Sequence, residues 1–187
     1  MAMNLVHRVF CSSERWARTV DQKLVPWVLR DVDLGEQTLE IGPGYGANLR
    51  ALAPKTSLTA VEIDKPMADR LVNKYGDLAR IINGDGTDLQ LADAEFNSVV
   101  CFTMLHHVPT PALQDQMFAE AFRVLRPGGT FAGSDSANSF IFRALHIGDT
   151  CNPVDPAALP DRLQRVGFTD VDVDVTDGQL RWRAVKA

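Results

Sequence analysis

The stretch that most restricts the fold of this chain runs from Thr38 to Leu49, Thr-Leu-Glu-Ile-Gly-Pro-Gly-Tyr-Gly-Ala-Asn-Leu. Thr38 to Ile41 reads as a short buried strand, Gly42, Gly44 and Gly46 crowd a turn, and Ala47 to Ala53 reads as the opening of a helix. Glycine has no Cβ, so it takes backbone angles closed to other residues and lets a ligand approach the main chain. A following helix presents unpaired N–H groups at its start. A strand that ends in glycines and feeds a helix is a signature of nucleotide-cofactor binding at the edge of an α/β sheet. The bland alternative is a strand-turn-helix that is glycine-rich for packing alone.

Spacing separates the cofactor classes. Dinucleotide enzymes favour Gly-x-Gly-x-x-Gly, which contradicts a nicotinamide dehydrogenase here. In this chain the glycines alternate, and Glu40 precedes them. The resulting Glu-x-Gly-x-Gly-x-Gly segment resembles the first motif of the class I S-adenosylmethionine-dependent methyltransferases, in their small-molecule, type 11-like branch. The resemblance implies an α/β fold: a three-layer, doubly wound, mostly parallel seven-stranded sheet of order 3-2-1-4-5-7-6, with strand 7 antiparallel. It implies S-adenosyl-L-methionine as cofactor, with Glu40, Gly42, Gly44 and Gly46 at the methionine end.

The later strands add to that reading. Ser57 to Ile63 is a second strand, and Glu62 lies at its end, twenty positions after Gly42. There a carboxylate reaches a ribose and accepts charge-strengthened bonds from its two hydroxyls. Asp64 reads as the cap of the next helix, with Pro66 at its first position. Ile63 is expected beside the adenine face, with Met67 as a further contact, though both also suit a core. Arg80 to Ile82 is a third strand. In the resemblance, the Gly84-Asp85-Gly86 turn after it offers Asp85 to the adenine amino group and the Gly86 N–H to a ring nitrogen. Asn97 to Phe102 is a fourth strand, and its continuation Thr103-Met104-Leu105-His106-His107 resembles the Leu-His-His segment of the same branch. Phe102 and Thr103 take the positions that touch the methionine part of the cofactor.

Thr110-Pro111 opens a helix to about Leu125, which Arg126-Pro127-Gly128-Gly129 stops. Leu113, Met117, Phe118 and Ala121 mark its buried face. Thr130 to Asp135 is a fifth strand, Pro156 to Val166 a helix ending at Gly167, and Phe168 to Val175 with Leu180 to Val185 an antiparallel hairpin. Between them, Ser136 to Val154 is irregular and holds Phe140, Ile141, Phe142, Leu145 and Ile147. Such an apolar insertion suits a hydrophobic substrate, and a plain helix on the sheet fits equally well. Leu5 to Arg30 is helical, with Val6, Val9 and Phe10 on one face and Val20, Leu24, Trp27 and Val28 on another. Ser12 or Ser13 caps its second helix. These leading helices, residues 1–37, either close an edge of the domain or form a lid that brings His7, Arg8 and Trp16 to the substrate.

Length and composition bound the remaining choices. The 187 residues suit one domain, 1–187, and the 45% apolar, 23% charged content is that of a soluble globular protein. The formal charge of −5 gives no global field that would attract nucleic acid, so no such partner is expected. No membrane span or secretion signal is read, and Cys11, Cys101 and Cys151 stand isolated, so a cytoplasmic setting without a metal site is expected. A methyl on a positively charged sulfur needs only an aligned nucleophile and exclusion of water. His107 is the candidate base for an acceptor proton, with His106 beside it. Two rivals remain. The first strands also resemble the ribosomal-RNA adenine dimethylases, yet Phe102-Thr103-Met104-Leu105-His106-His107 lacks their Asn and stacking aromatic. A non-catalytic cofactor-binding subunit on the same fold is the other, because fold does not dictate function.

Overall fold

The computed structural model describes residues 5–187, apart from the side chains at positions 5–7, 141 and 145. The expectations placed on Val6, His7, Ile141 and Leu145 lie outside the described residues. Seven strands form one sheet: β1 (Gln37–Ile41), β2 (Ser57–Glu62), β3 (Ala79–Asn83), β4 (Phe96–Phe102), β5 (Leu125–Ser136), β6 (Phe168–Thr176) and β7 (Gln179–Lys186). Their order is β3-β2-β1-β4-β5-β7-β6. The first five run parallel, and β7 is antiparallel to both of its neighbours. This is the expected fold class, including the inverted seventh strand.

The central strands are apolar on both faces because both faces are covered. Successive side chains alternate sides, so Leu39, Ile41, Val99 and Cys101 join Phe118, Phe131 and Trp182 in one core. Val100, Phe102, Leu58 and Ala60 join Leu52, Leu71 and Tyr75 in the other. The helices over these faces are α1 (Leu5–Cys11), α2 (Glu14–Thr19), a π-helical turn at Val20–Leu24, α3 (Val25–Val28), α4 (Leu49–Leu52), α5 (Lys65–Tyr75), α6 (Pro111–Val124), α7 (Phe140–Leu145) and α8 (Leu159–Val166). Caps set their starts: Ser13, Asp64, Thr110 and Ser139 each accept an N–H three residues on, at 3.0–3.2 Å. Gly167, at φ 117°, ends α8.

Several boundaries differ from the sequence reading. The helix expected over Ala47–Ala53 is one turn, α4, because the glycine bend consumes Ala47 and Asn48: Gly46 N–H bonds to Pro43 and Leu49 N–H to Gly46. β5 begins at Leu125 rather than Thr130, pairing with Phe96 across a register shift. α8 begins at Leu159 rather than Pro156, since Ala158 and Leu159 N–H both turn back to the Asp155 carbonyl. On the apolar face read for the first helix, Val9 is 62% and Phe10 54% exposed. The second half of the leader does pack: Val20, Leu24, Val25 and Val28 lie against the sheet.

One buried cation fixes that leader. Arg181 on β7 is fully buried; its Nε–H donates to the Val28 carbonyl at 3.1 Å, and its guanidinium also reaches Asp172 at 2.9 Å and Asp31 at 3.3 Å. The C-terminal hairpin and the end of α3 are therefore one hydrogen-bonded unit. The hairpin turns at Asp177-Gly178, both with positive φ, 51° and 75°, the conformation that suits the twist of two antiparallel strands.

Candidate functional site

The carboxyl ends of β1 to β4 open into a cavity of about 640 Å³, within the usual range of about 300–1,000 Å³ for small-molecule sites. The turn after β1 supplies Gly42 and Gly44, β2 supplies Glu62 and then Ile63, and the turn after β3 supplies Asp85 and Gly86. Phe102, Thr103 and His107 come from the end of β4. Residues separated by up to 65 positions in sequence thus share one wall.

Glu62 is the hinge of this wall. It is 7% exposed, and its two oxygens accept the Gly44 N–H at 3.1 Å and the Asp64 N–H at 3.0 Å. One carboxylate thereby ties the glycine turn to the start of α5. Burial raises its pKa, and the two backbone N–H groups oppose that rise. Asp85 is exposed, with one oxygen accepting the Thr87 N–H and hydroxyl, both at 2.8 Å. Ile63, 50% exposed, stands at the rim.

The alternating glycines divide their work. Gly44, at φ +54°, has open space where a Cβ would stand, so the main chain there faces the cavity bare. Gly46, at φ +77°, would set a Cβ 2.6 Å from the Tyr75 ring. It allows the bend to pack on α5 and does not line the cavity. Glu40 also lies behind the wall, fully buried, with Asn48 Nδ2–H donating to its Oε1 at 2.6 Å. Burial pushes the Glu40 carboxyl up to about 8, against the Asn48 bond and with help from the charge of Glu62. Its Oε2 and the Asn48 Oδ1 have no hydrogen-bond partner among the described residues.

At the end of β4, Thr103 sits at φ 48°, a conformation that costs a β-branched residue of order 1–3 kcal/mol. Its N–H donates to the Ser134 carbonyl at 2.7 Å. The strained residue throws the chain out of the sheet and across the cavity as the short 3-10 turn Leu105–His107. His107 is 8% exposed and borders the cavity, and its Nδ1 lies 3.1 Å from the Thr150 carbonyl. His106 turns away from the cavity, onto Asp135.

The leading helices complete the enclosure through Arg8, Cys11, Trp16 and Val20. Arg8 and Trp16 are the two candidates read from the leader whose side chains are described. Burial raises the Cys11 thiol to about 11, which keeps it a thiol. Sequence reasoning missed Asn48, Tyr45, Arg70 and Met104 in the wall. Arg70 lies over the Tyr45 ring at 5.8 Å, one helical turn beyond Pro66 in α5. It also read no metal-ligand set, whereas the fold gathers His106, His107 and His146.

Comparisons with known proteins follow this geometry. The family described as "Methyltransferase domain" matches residues 39–133, about half of the chain. A thiol S-methyltransferase of Homo sapiens is 31% identical over 166 residues, and one of Rattus norvegicus 27% over 167. These matches cover 79% and 78% of this chain but 66% and 62% of those proteins, so the chain spans somewhat under two thirds of their length. A ribosomal RNA small subunit methyltransferase of Paraburkholderia xenovorans is 43% identical over 56 residues, 27% of this chain and 20% of that one. Among solved structures, a protein from Pyrococcus horikoshii superposes with a TM-score of 0.81 over 100% of both chains at 16% identity. A Haemonchus contortus phosphoethanolamine N-methyltransferase solved with S-adenosyl-L-methionine gives 0.71 at 13% identity, covering 93% of this chain and 53% of that one. The family match spans the glycine bend, Glu62, Asp85 and the end of β4, and the sheet order with its inverted seventh strand is that of the class I fold; the chain belongs to the methyltransferase domain family.

Proposed function

We propose that this chain is an S-adenosylmethionine-dependent methyltransferase that moves a methyl group directly to a small, largely apolar acceptor. The observation that carries the reading is the convergence of an open glycine turn, Glu62 and Asp85 on one cavity. The wall fits the cofactor in its polar detail. Asn48 lines the cavity, and its buried Oδ1, with no hydrogen-bond partner among the described residues, is an acceptor suited to the amino group of the methionine end. The bare main chain at Gly44 leaves room for that end to approach. Glu62 would take the ribose hydroxyls on the lone pairs its two backbone bonds do not use, and Asp85 with Gly86 would take the adenine edge, against Ile63. Phe102 and Thr103 would border the methionine chain, with Glu40 holding Asn48 in place from behind and Gly46 holding the bend.

The cofactor supplies a methyl on a positively charged sulfur, already a good leaving group. The protein's part is alignment and exclusion of water. Leu113, Met117, Met104 and Trp16 give the enclosure its apolar lining. Such a lining favours an uncharged organic acceptor over RNA, as does the net charge of −5. Thiols are the first acceptors to test, because the human and rat relatives are thiol S-methyltransferases. His107, which borders the cavity, would relieve the acceptor of its proton. The reading is tested by calorimetry with S-adenosylmethionine, followed by transfer of labelled methyl to panels of thiols, amines and phenols. Binding with transfer to a small molecule is expected. Binding without transfer to any acceptor would favour a cofactor-binding subunit, and no binding at all would remove the proposal.

A further inference from the structure

Three histidines meet beneath the cavity, and nothing in methyl transfer requires them to. His106 and His107 lie on the turn after β4, and His146 follows α7. They are 3%, 8% and 6% exposed, and each offers one ring nitrogen within 4.8 Å of the others'. The second nitrogen of each ring faces an oxygen. His106 Nδ1 meets Asp135 Oδ1 at 2.5 Å, His146 Nδ1 meets the Phe142 carbonyl at 2.7 Å, and His107 Nδ1 meets the Thr150 carbonyl at 3.1 Å. A carbonyl can only accept, so His107 and His146 carry their protons on Nδ1, and their lone pairs sit on Nε2. The Asp135 carboxylate also receives the His106 and Ser136 N–H groups, at 2.9 and 2.7 Å, which fixes it as an acceptor and puts the His106 proton on Nδ1 too.

That arrangement creates a conflict at one contact. His106 Nε2 lies 3.1 Å from His146 Nε2. With both rings neutral, two lone pairs point at each other in a buried site. A proton between the two rings or a shared metal cation removes the conflict, and the third ring nitrogen, from His107, favours the metal. Zinc with nitrogen ligands at about 2.0–2.1 Å in a tetrahedral shell separates those nitrogens by about 3.3 Å, close to the spacing found. Orientation of each ligating ring by a carboxylate or carbonyl on its far nitrogen is the support such ligands commonly have. We propose that His106, His107 and His146 form a binding site for a divalent transition metal of the zinc type, with Asp135 orienting His106.

Second contacts hold the site's two halves together. Asn152 N–H donates to the His106 carbonyl at 2.7 Å, and Gln114 Nε2–H bridges to the Leu105 and Asn152 carbonyls, each at 3.0 Å. The Phe142 ring packs edge-on against His106, with centroids 4.9 Å apart. Because His107 also borders the cavity, the metal sits at the margin of the reaction chamber. Ligation at Nε2 and proton transfer at Nε2 exclude each other. A metal-loaded site therefore takes the base role from His107, and a thiol or hydroxyl acceptor bound to the cation would have its pKa lowered and release its proton to water.

The test is direct metal binding by tag-free, full-length protein. Chelator-stripped protein is titrated with Co²⁺ by visible absorption, then challenged with Zn²⁺. One equivalent of Co²⁺ with the intense d–d bands of a four- or five-coordinate ion, displaced by Zn²⁺, is expected. His146→Ala should abolish those bands, and Asp135→Asn should weaken affinity about 10- to 100-fold. If the buried Asp135→Asn fails to fold, His146→Ala alone decides. Absence of stoichiometric uptake in the folded wild type, or unchanged uptake in His146→Ala, overturns the proposal. Cofactor affinity measured on the same samples is independent of either result.

Discussion

Replacing Glu62 with Gln tests the cofactor reading at its most informative atom. Both carboxylate oxygens are occupied by backbone donors, Gly44 N–H and Asp64 N–H. An amide has one oxygen, so one of these N–H groups would face an NH₂ instead. Leaving a buried donor unpaired costs about 1–3 kcal/mol. At about 2–4 °C per kcal/mol for a chain of this size, melting should fall by several degrees. Binding loses a second, separate contribution. The ribose would meet a neutral oxygen and a donor in place of a charged carboxylate, and charge roughly doubles such bonds. We expect S-adenosylmethionine affinity to drop by about 1–3 kcal/mol, about 5- to 150-fold in Kd. Calorimetry on protein shown folded by thermal melting reads both effects. A Kd within twofold of wild type, alongside the lowered melting temperature, would show that Glu62 only braces the loop and would refute its role at the ribose.

Four further outcomes follow from the same geometry. Gly46→Ala should destabilise by about 1–3 kcal/mol through contact with Tyr75, on top of the strain of its positive φ, whereas Gly44→Ala, with open space around its Cβ, should cost only the strain of its positive φ and in addition weaken cofactor binding; chemical denaturation and calorimetry separate the two. Glu40 is held protonated up to about pH 8 in the folded chain against an ordinary value of 4.5. The native state then binds more protons than the unfolded one, so this contribution is present in full below about pH 4.5 and is lost as pH rises through 8; Glu40→Gln should flatten stability measured over that window. Arg181→Met should cost about 1–3 kcal/mol, because the Val28 carbonyl loses its donor while Asp31 and Asp172 remain exposed to water; urea denaturation checks it. His107→Ala should slow turnover more than it weakens cofactor binding, as read from kcat and calorimetric Kd; equal loss of both would give His107 a purely structural part.

The sequence carried the fold because its signals were local and repeated. Apolar residues at Leu39, Ile41 and Val99–Phe102, a proline at the start of α5 and α6, and Asp177-Gly178 in the hairpin each act within a few residues. Spacing also placed Gly42, Gly44, Glu62, Asp85 and Thr103 at strand ends, which the parallel sheet then aligns on one cavity. What spacing could not tell is the direction each group faces. Glu40 and Gly46 belong to the same short segment, yet one lies behind the wall and the other meets α5. Val9 and Phe10 have helical periodicity, which says that a face exists and not that anything covers it. The histidine cluster was hidden for another reason. His146 joins His106 and His107 only because α7 folds back over the turn after β4, a contact between segments about forty residues apart.

The slot that β7 fills between β5 and β6 has a consequence for the order of assembly. β6 precedes β7 in the chain but stands outside it, so β6 cannot join the sheet until its successor has been synthesised. Until then the flank of β5 is an unpaired strand edge carrying Phe131 and Ala132, open to mispairing with other chains. Closure is a late, long-range step, and Arg181 arrives with it, locking α3. Emergence from the ribosome, rather than local propensity, therefore times when the end of α3 gains its hydrogen-bonded anchor.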